Sequence, residues 1–389
     1  MALREQWGSR SGFILATVGA AVGLGNIWRF PYVTGENGGG AFVLVYFVCV
    51  LLVGLPIMAS EILLGRRGRR SPINAMRVLA EDEGLNPLWA GVGWMGVFAG
   101  FLILSFYAVV AGWSLAYIFY VAGGAFSEAG IDQSQQTFAS LTGSAAKLTA
   151  WHTIFMAMTM FVVARGVSGG LERAVKLLMP ALFLILIVMV GYALSTGDVV
   201  TSLRYLLQPD FSKLTGDSIL AALGQAFFSL SLGMGSIMVY GSYLPKEASV
   251  AQTSAIVACA DTLVAVLAGL AIFPIVFAYG LEPGQGPGLV FVSLTLAFGH
   301  MPGGQLFGSL FFVLLTVAAW TSAISILEPV VAWLVESVGW SRIKACMIAG
   351  VSVWLLGFGS LLSFNQLADF TPGGRNFFDW AEFISTSIL

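Results

Sequence analysis

Charge is scarce in this chain. Only 10% of its 389 residues are Asp, Glu, Lys or Arg, against 58% hydrophobic, and the mean hydropathy is +0.88. So few charges cannot cover a soluble globule, which leaves lipid as the solvent. Histidine is nearly missing as well. His152 and His300 stand alone near helix or loop ends, no nucleophile and base are arranged by spacing, and nothing indicates an enzyme. The three cysteines, Cys49, Cys259 and Cys346, lie in or beside apolar runs without metal-ligand spacing and read as small core residues. Strict alternation of apolar with polar residues over about 10 positions is lacking too, which excludes a transmembrane β-barrel.

What is present is a series of apolar runs of about 20 residues, each long enough to cross roughly 30 Å of hydrocarbon as a helix. Spans are expected near residues 11–33, 41–64, 89–122, 151–164, 175–196, 219–243, 252–280, 303–337 and 343–364. A tenth is expected to start near Asn376 and to be cut off by the end of the chain. The first run leads straight into further spans, unlike a cleavable signal peptide. The polar stretches 124–149, 197–217 and 281–302 are too short for separate domains, so residues 1–389 read as one membrane domain.

Basic residues in short loops are retained on the cytoplasmic side. Arg4 and Arg10 precede span one, Arg66, Arg67, Arg69, Arg70 and Arg77 come after span two, and Arg165, Arg173 and Lys176 separate spans four and five. Lys246 comes after span six, and Arg342 and Lys344 separate spans eight and nine. The opposite loops hold only Lys147, Arg204, Lys213 and Arg375, so the amino terminus is expected inside. Topogenic charge accounts for the arginine run after span two without a nucleic-acid partner.

Two spans carry dense glycine: Gly23-Leu24-Gly25-Asn26 in the first and Ser231-Leu232-Gly233-Met234-Gly235-Ser236 in the sixth. Each glycine weakens a helix by about 1 kcal/mol relative to Ala. Five spans separate the two motifs, so a second repeat would be inverted in the membrane. Breaks at matching places in inverted repeats point to a midplane transport site, where freed amides face anions and freed carbonyls face cations. Either motif alone would read as close helix packing. Charges inside the spans, costly at that depth, sharpen the case: Arg29, Glu61, Asp261, Glu328 and Glu336.

In these residues the chain resembles the neurotransmitter:sodium symporter family, and within it the bacterial amino-acid transporters. The resemblance rests on Gly23-Leu24-Gly25-Asn26-Ile27-Trp28-Arg29-Phe30-Pro31, on Glu36-Asn37-Gly38-Gly39-Gly40-Ala41-Phe42, on Gln225-Ala226-Phe227-Phe228-Ser229-Leu230-Ser231 and on Thr321-Ser322. It implies an all-α polytopic membrane protein of the LeuT fold, with five helices (1–196) and five inverted helices (219–389), broken in helices one and six. Family members have 11 or 12 spans, so the chain is expected to lack the rest of helix ten and any later spans. Sodium-driven symport across a bacterial inner membrane is implied, with lipid, sodium and an amino acid as partners.

The resemblance also implies residue roles. A substrate carboxylate would meet the Leu24 and Gly25 amides and the Tyr107 hydroxyl, and its ammonium would meet carbonyls of Ala21, Phe228 and Ser229 with the Ser231 hydroxyl. The side-chain pocket would comprise Ala20, Ile103, Phe228, Met234, Ser322 and Ile326. A first sodium would take the Ala21 carbonyl, Asn26, Ser229 and the substrate carboxylate, with Asp261 at or next to a ligand position. A second would take carbonyls of Gly19, Val22 and Ala318 with Thr321 and Ser322. The outer gate would pair Arg29 with Glu382 and the inner gate Arg4 with Glu336, braced by Trp7, Ser242 and Tyr243, while Glu61 would bond freed amides.

Departures from the family pattern carry information too. Gly23 stands where carriers of biogenic amines have Asp, so the substrate is expected to bring its own carboxylate. Tyr46, Gln225 and Ser229 match residues around the chloride of chloride-dependent members, but Asp261 replaces the usual Asn, so chloride is expected not to be required. Two other readings stand beside transport. A sensor would need no alternating gates, and a channel would need a continuous polar stripe.

Overall fold

The computed structural model describes residues 7–244, 248–283 and 288–385, and among them the regular structure is entirely helical. In hydrocarbon every peptide group needs an internal partner, which a helix supplies within one segment. Span one is a pair, Ser11–Ala21 and Gly25–Glu36, bent by 44° at its break. The unbroken spans are two Gly40–Gly68, three Pro87–Ala122, four Ala145–Val163, five Val167–Thr196, seven Val250–Ala278, eight Gly304–Val338 and nine Arg342–Leu362. The sixth segment is two shorter helices, Gly216–Ser229 and Ser236–Ser242. Phe377–Phe383 opens the tenth, started by a reciprocal cap between Asn376 and Asp379.

Spans three and eight form the centre. Their most apolar stretches are 83% and 78% buried, against 33% for span five and 44% for spans two and nine, which turn side chains such as Leu52 and Leu177 outward to lipid. Where span two meets Ser236–Ser242 the backbones nearly touch. A Cβ on Gly65 would strike the Met238 carbonyl, and one on Gly241 would lie 2.7 Å from the Ile62 carbonyl, so only glycine fits.

Several sequence expectations change. Span four begins six residues early because Ser144 caps it, accepting from the Lys147 amide, and His152 is therefore fully buried mid-helix with Nε2 3.3 Å from the Trp354 carbonyl oxygen. Span five begins at Val167 with a wide turn over Val167–Leu171. The polar stretches contain short helices, Ile131–Thr142, Val199–Leu207 and Leu289–His300. Of the cysteines only Cys346 is a core residue; Cys49 is half-buried and Cys259 exposed.

Candidate functional site

The two breaks meet at the centre of the bundle. In span one the chain leaves the helix at Val22, extended at ψ 107°, and turns back into it through Gly25. In the sixth segment Ser231, Gly233 and Gly235 all take positive φ, 54°, 80° and 74°. For Ser231 that conformation is strained. Its hydroxyl donates to the Ala20 carbonyl across the gap at 2.7 Å and so fixes one break against the other.

Between them lies a small cavity lined by Ala21, Gly23, Gly25, Ile103, Tyr107, Phe228, Ser231, Met234, Ser322 and Ile326. Most of the sequence-selected pocket therefore converges. Gly23 joins it, and Ala20, Leu24 and Ser229 stand behind the wall. One end is polar: the Leu24 amide donates to the Tyr107 hydroxyl at 3.2 Å, leaving the phenol proton to be offered elsewhere. The other end, Ile103, Met234 and Ile326, is apolar. A Cβ on Gly23 would strike Ser322 Oγ and lie 2.9 Å from the Tyr107 oxygen, so the wall tolerates no larger residue there.

Two oxygen-rich clusters flank the cavity. In the first, fully buried Asp261 receives Asn26 Nδ2 on Oδ1 at 2.7 Å and the Tyr46 and Ser229 hydroxyls on Oδ2, the former at 3.3 Å. Asn26 Oδ1 in turn accepts from the Gly23 amide at 3.1 Å. Among the described residues Asp261 has hydrogen-bond donors and no cationic partner. A buried carboxylate so placed suits a hard cation.

The second cluster lies between spans one and eight. Ser322 Oγ sits 3.5, 3.2 and 3.3 Å from the carbonyl oxygens of Gly19, Ala20 and Val22, and a hydroxyl proton can serve only one of them. Thr321 Oγ1 turns back to its own helix, 3.0 Å from the Ala318 carbonyl. Gly19, Val22, Ala318, Thr321 and Ser322 thus share one locality.

At one end of the cavity Arg29 lies 5.0 Å over the Phe228 ring and donates from Nη1 to Gln225 Oε1 at 3.0 Å. Gln225 Nε2 donates to the Gly25 carbonyl at 2.8 Å, so this amide ties Arg29 to the break rather than joining Tyr46 and Ser229. Glu382 lies within electrostatic reach of Arg29. Of the expected inner gate, Arg4 lies outside the described residues. Glu336 accepts from the Ser71 amide at 2.8 Å and Asn74 Nδ2 at 3.2 Å, and Trp7 Nε1 donates to the Tyr240 carbonyl at 3.3 Å. Glu61 Oε1 accepts from the Gly233 amide at 2.7 Å, at the break itself.

Sequence reasoning missed Glu172, which accepts from the Gly8 amide at 2.7 Å and the Ser9 hydroxyl at 2.9 Å and pairs with Lys176 at 2.6 Å. A lone acid among Arg165, Arg173 and Lys176, four residues before the lysine, was the signal. Glu328 was noted only as a charge. It proves fully buried between Arg342, in a two-pronged pair, and the Tyr243 hydroxyl at 2.8 Å.

Paired helix breaks closing on a central cavity, with oxygen clusters on either side, are the arrangement of a secondary transporter of the inverted-repeat class. The model of the sodium:neurotransmitter symporter family matches residues 4–125 and 124–388. The chain is similar to a sodium-dependent transporter of Bacillus subtilis strain 168, 42% identical over 99% of this chain and 84% of that one. It is also similar to the sodium-dependent nutrient amino acid transporter 1 of Drosophila willistoni, 25% identical over 96% of this chain and 67% of that one. The solved structure of MhsT in complex with L-phenylalanine superposes with a TM-score of 0.92 at 46% identity, covering 99% of this chain and 87% of that chain. The chain belongs to the sodium:neurotransmitter symporter family: it is a multi-pass membrane protein of the LeuT fold and a sodium-dependent symporter.

Proposed function

We propose that this symporter imports apolar L-amino acids, aromatic ones included, by alternating access. The observation that carries this reading is the cavity between the breaks, whose wall combines the Tyr107 hydroxyl with the apolar side chains of Ile103, Phe228, Met234 and Ile326. The α-carboxylate takes the Tyr107 hydroxyl and the Gly25 amide, and the Leu24 amide, which otherwise donates to the Tyr107 oxygen, turns to it as well. The ammonium takes carbonyls of Ala21, Phe228 and Ser229 and the Ser231 hydroxyl. Phe228 and Ser322 complete the side-chain pocket, with Ala20 behind its wall. No residue there can pair a charged side chain, so acidic and basic amino acids are rejected by the cost of an unpaired buried charge. Met234 is unbranched and adaptable, and between Gly233 and Gly235 it retreats to admit an indole. The phenylalanine bound in the MhsT structure supports the aromatic reading.

Two sodium ions travel with the substrate. The first takes Ala21, Asn26, Ser229, Asp261 and the substrate carboxylate, which makes ion and substrate affinities mutually dependent. The second takes Gly19, Val22, Ala318, Thr321 and Ser322. Asp261 supplies the negative charge fixed in the site, so chloride is not required. Residues 1–196 and 219–389 act as inverted halves, with the amino terminus cytoplasmic. Arg29 with Glu382 closes the outer side and Arg4 with Glu336 the inner. Competition against labelled leucine uptake tests the substrate class. Tryptophan, phenylalanine and tyrosine inhibit; no inhibition by tryptophan at millimolar concentration, or stronger inhibition by glutamate or lysine, refutes it.

A further inference from the structure

Away from the transport cavity, a second cavity of about 290 Å³ opens between span two, the helix Pro72–Asp82, the start of span three and the sixth-segment break with the helix after it. Its wall is almost wholly apolar and includes Ile57, Pro72, Val92 and Met238. Glu61 also contributes to this wall. Its Oε1 is taken by the Gly233 amide, while Oε2 is buried and has no hydrogen-bond partner among the described residues. The side chain is only 8% exposed. Ser60 and Val92, also in the wall, are exposed, so the cavity opens to the outer surface of the helix bundle.

An apolar chamber with one unsatisfied carboxylate oxygen selects its occupant by chemistry. A purely apolar molecule leaves that oxygen desolvated, and an anion is repelled. A cation carrying a compact apolar body fills the chamber and supplies the missing donor and counter-charge together. The volume sits at the small end of ligand pockets, about 300–1,000 Å³, which limits the guest to one ring or a short chain. We infer that this cavity is a binding site for small lipophilic amines entering from the bilayer, with the ammonium on Glu61 Oε2 and the apolar body between Ile57, Val92 and Met238. Gly233 and Met238 belong to the break and the half-helix after it, so the occupant bridges that half-helix to spans two and three.

Equilibrium binding of 4-phenylbutylamine and of butylbenzene to the protein in lipid nanodiscs tests this without relying on transport. The amine binds at least tenfold more tightly than butylbenzene, and Glu61→Gln removes that preference. Ser60→Phe and Val92→Phe, which fill the mouth from the lipid side, each weaken amine binding at least tenfold. Equal binding of amine and hydrocarbon by the wild type, or amine binding unchanged in both mouth variants, overturns the proposal. The mouth variants decide the matter even if Glu61→Gln does not fold.

Discussion

Replacing Tyr107 by phenylalanine removes a single oxygen from an enclosed site and keeps the ring that fills it. Tyr107 is 4% exposed, its oxygen already accepts from the Leu24 amide at 3.2 Å, and it also bonds the Ser322 side chain, which leaves its own proton able to turn to an acceptor that enters the cavity. When that acceptor is a substrate carboxylate, the hydrogen bond is charge-assisted and contributes about 1.5–3 kcal/mol. Its loss weakens substrate affinity by about 10- to 150-fold. Equilibrium binding of labelled leucine at saturating sodium measures this directly. Tyr117→Phe is the control, because the buried Tyr117 hydroxyl has no partner among the described residues and its loss leaves affinity unchanged. A Tyr107→Phe variant that binds within about twofold of the wild type, or a Tyr117→Phe variant that loses as much, refutes the assignment of the polar end.

The ion clusters give two further expectations. Asn26→Ala and Thr321→Ala each abolish sodium-stimulated uptake while the protein stays folded, because each removes an oxygen ligand and little core volume; retained sodium dependence in either counts against its cluster. Asp261→Asn removes the charge fixed beside Tyr46 and Ser229 and makes uptake respond to chloride, which a comparison of chloride with gluconate media reads out.

Composition and run length were enough to read helical spans from the sequence, because a membrane allows few other ways to satisfy the backbone. The breaks were legible because Gly23 with Gly25 and Gly233 with Gly235 recur at matching places in spans one and six, although Gly23, Gly25 and Gly235 each meet a close neighbour as well. What was hidden depends on distant partners. No local pattern announces that Ser231 adopts a positive φ and reaches Ala20, or that Gln225 turns to Arg29 and Gly25. The short helix Val199–Leu207 was masked by its polar flank, although Asp198 accepts from the Thr201 amide at 3.0 Å and caps it. Glu328 looked like one charge among several until folding buried it against Arg342, which sits 14 residues further along the chain. Cys259 reads as core by its neighbours alone, since an apolar helix in lipid gives no sign of which face points outward.

The central claim is that sodium and an apolar amino acid bind as a coupled set at the paired breaks. Equilibrium binding of the twenty common amino acids to the purified protein, with sodium and with potassium in its place, tests it most directly. Saturable binding of leucine, phenylalanine and tryptophan that requires sodium is the predicted result; binding that is indifferent to sodium, or no binding of any amino acid, contradicts it.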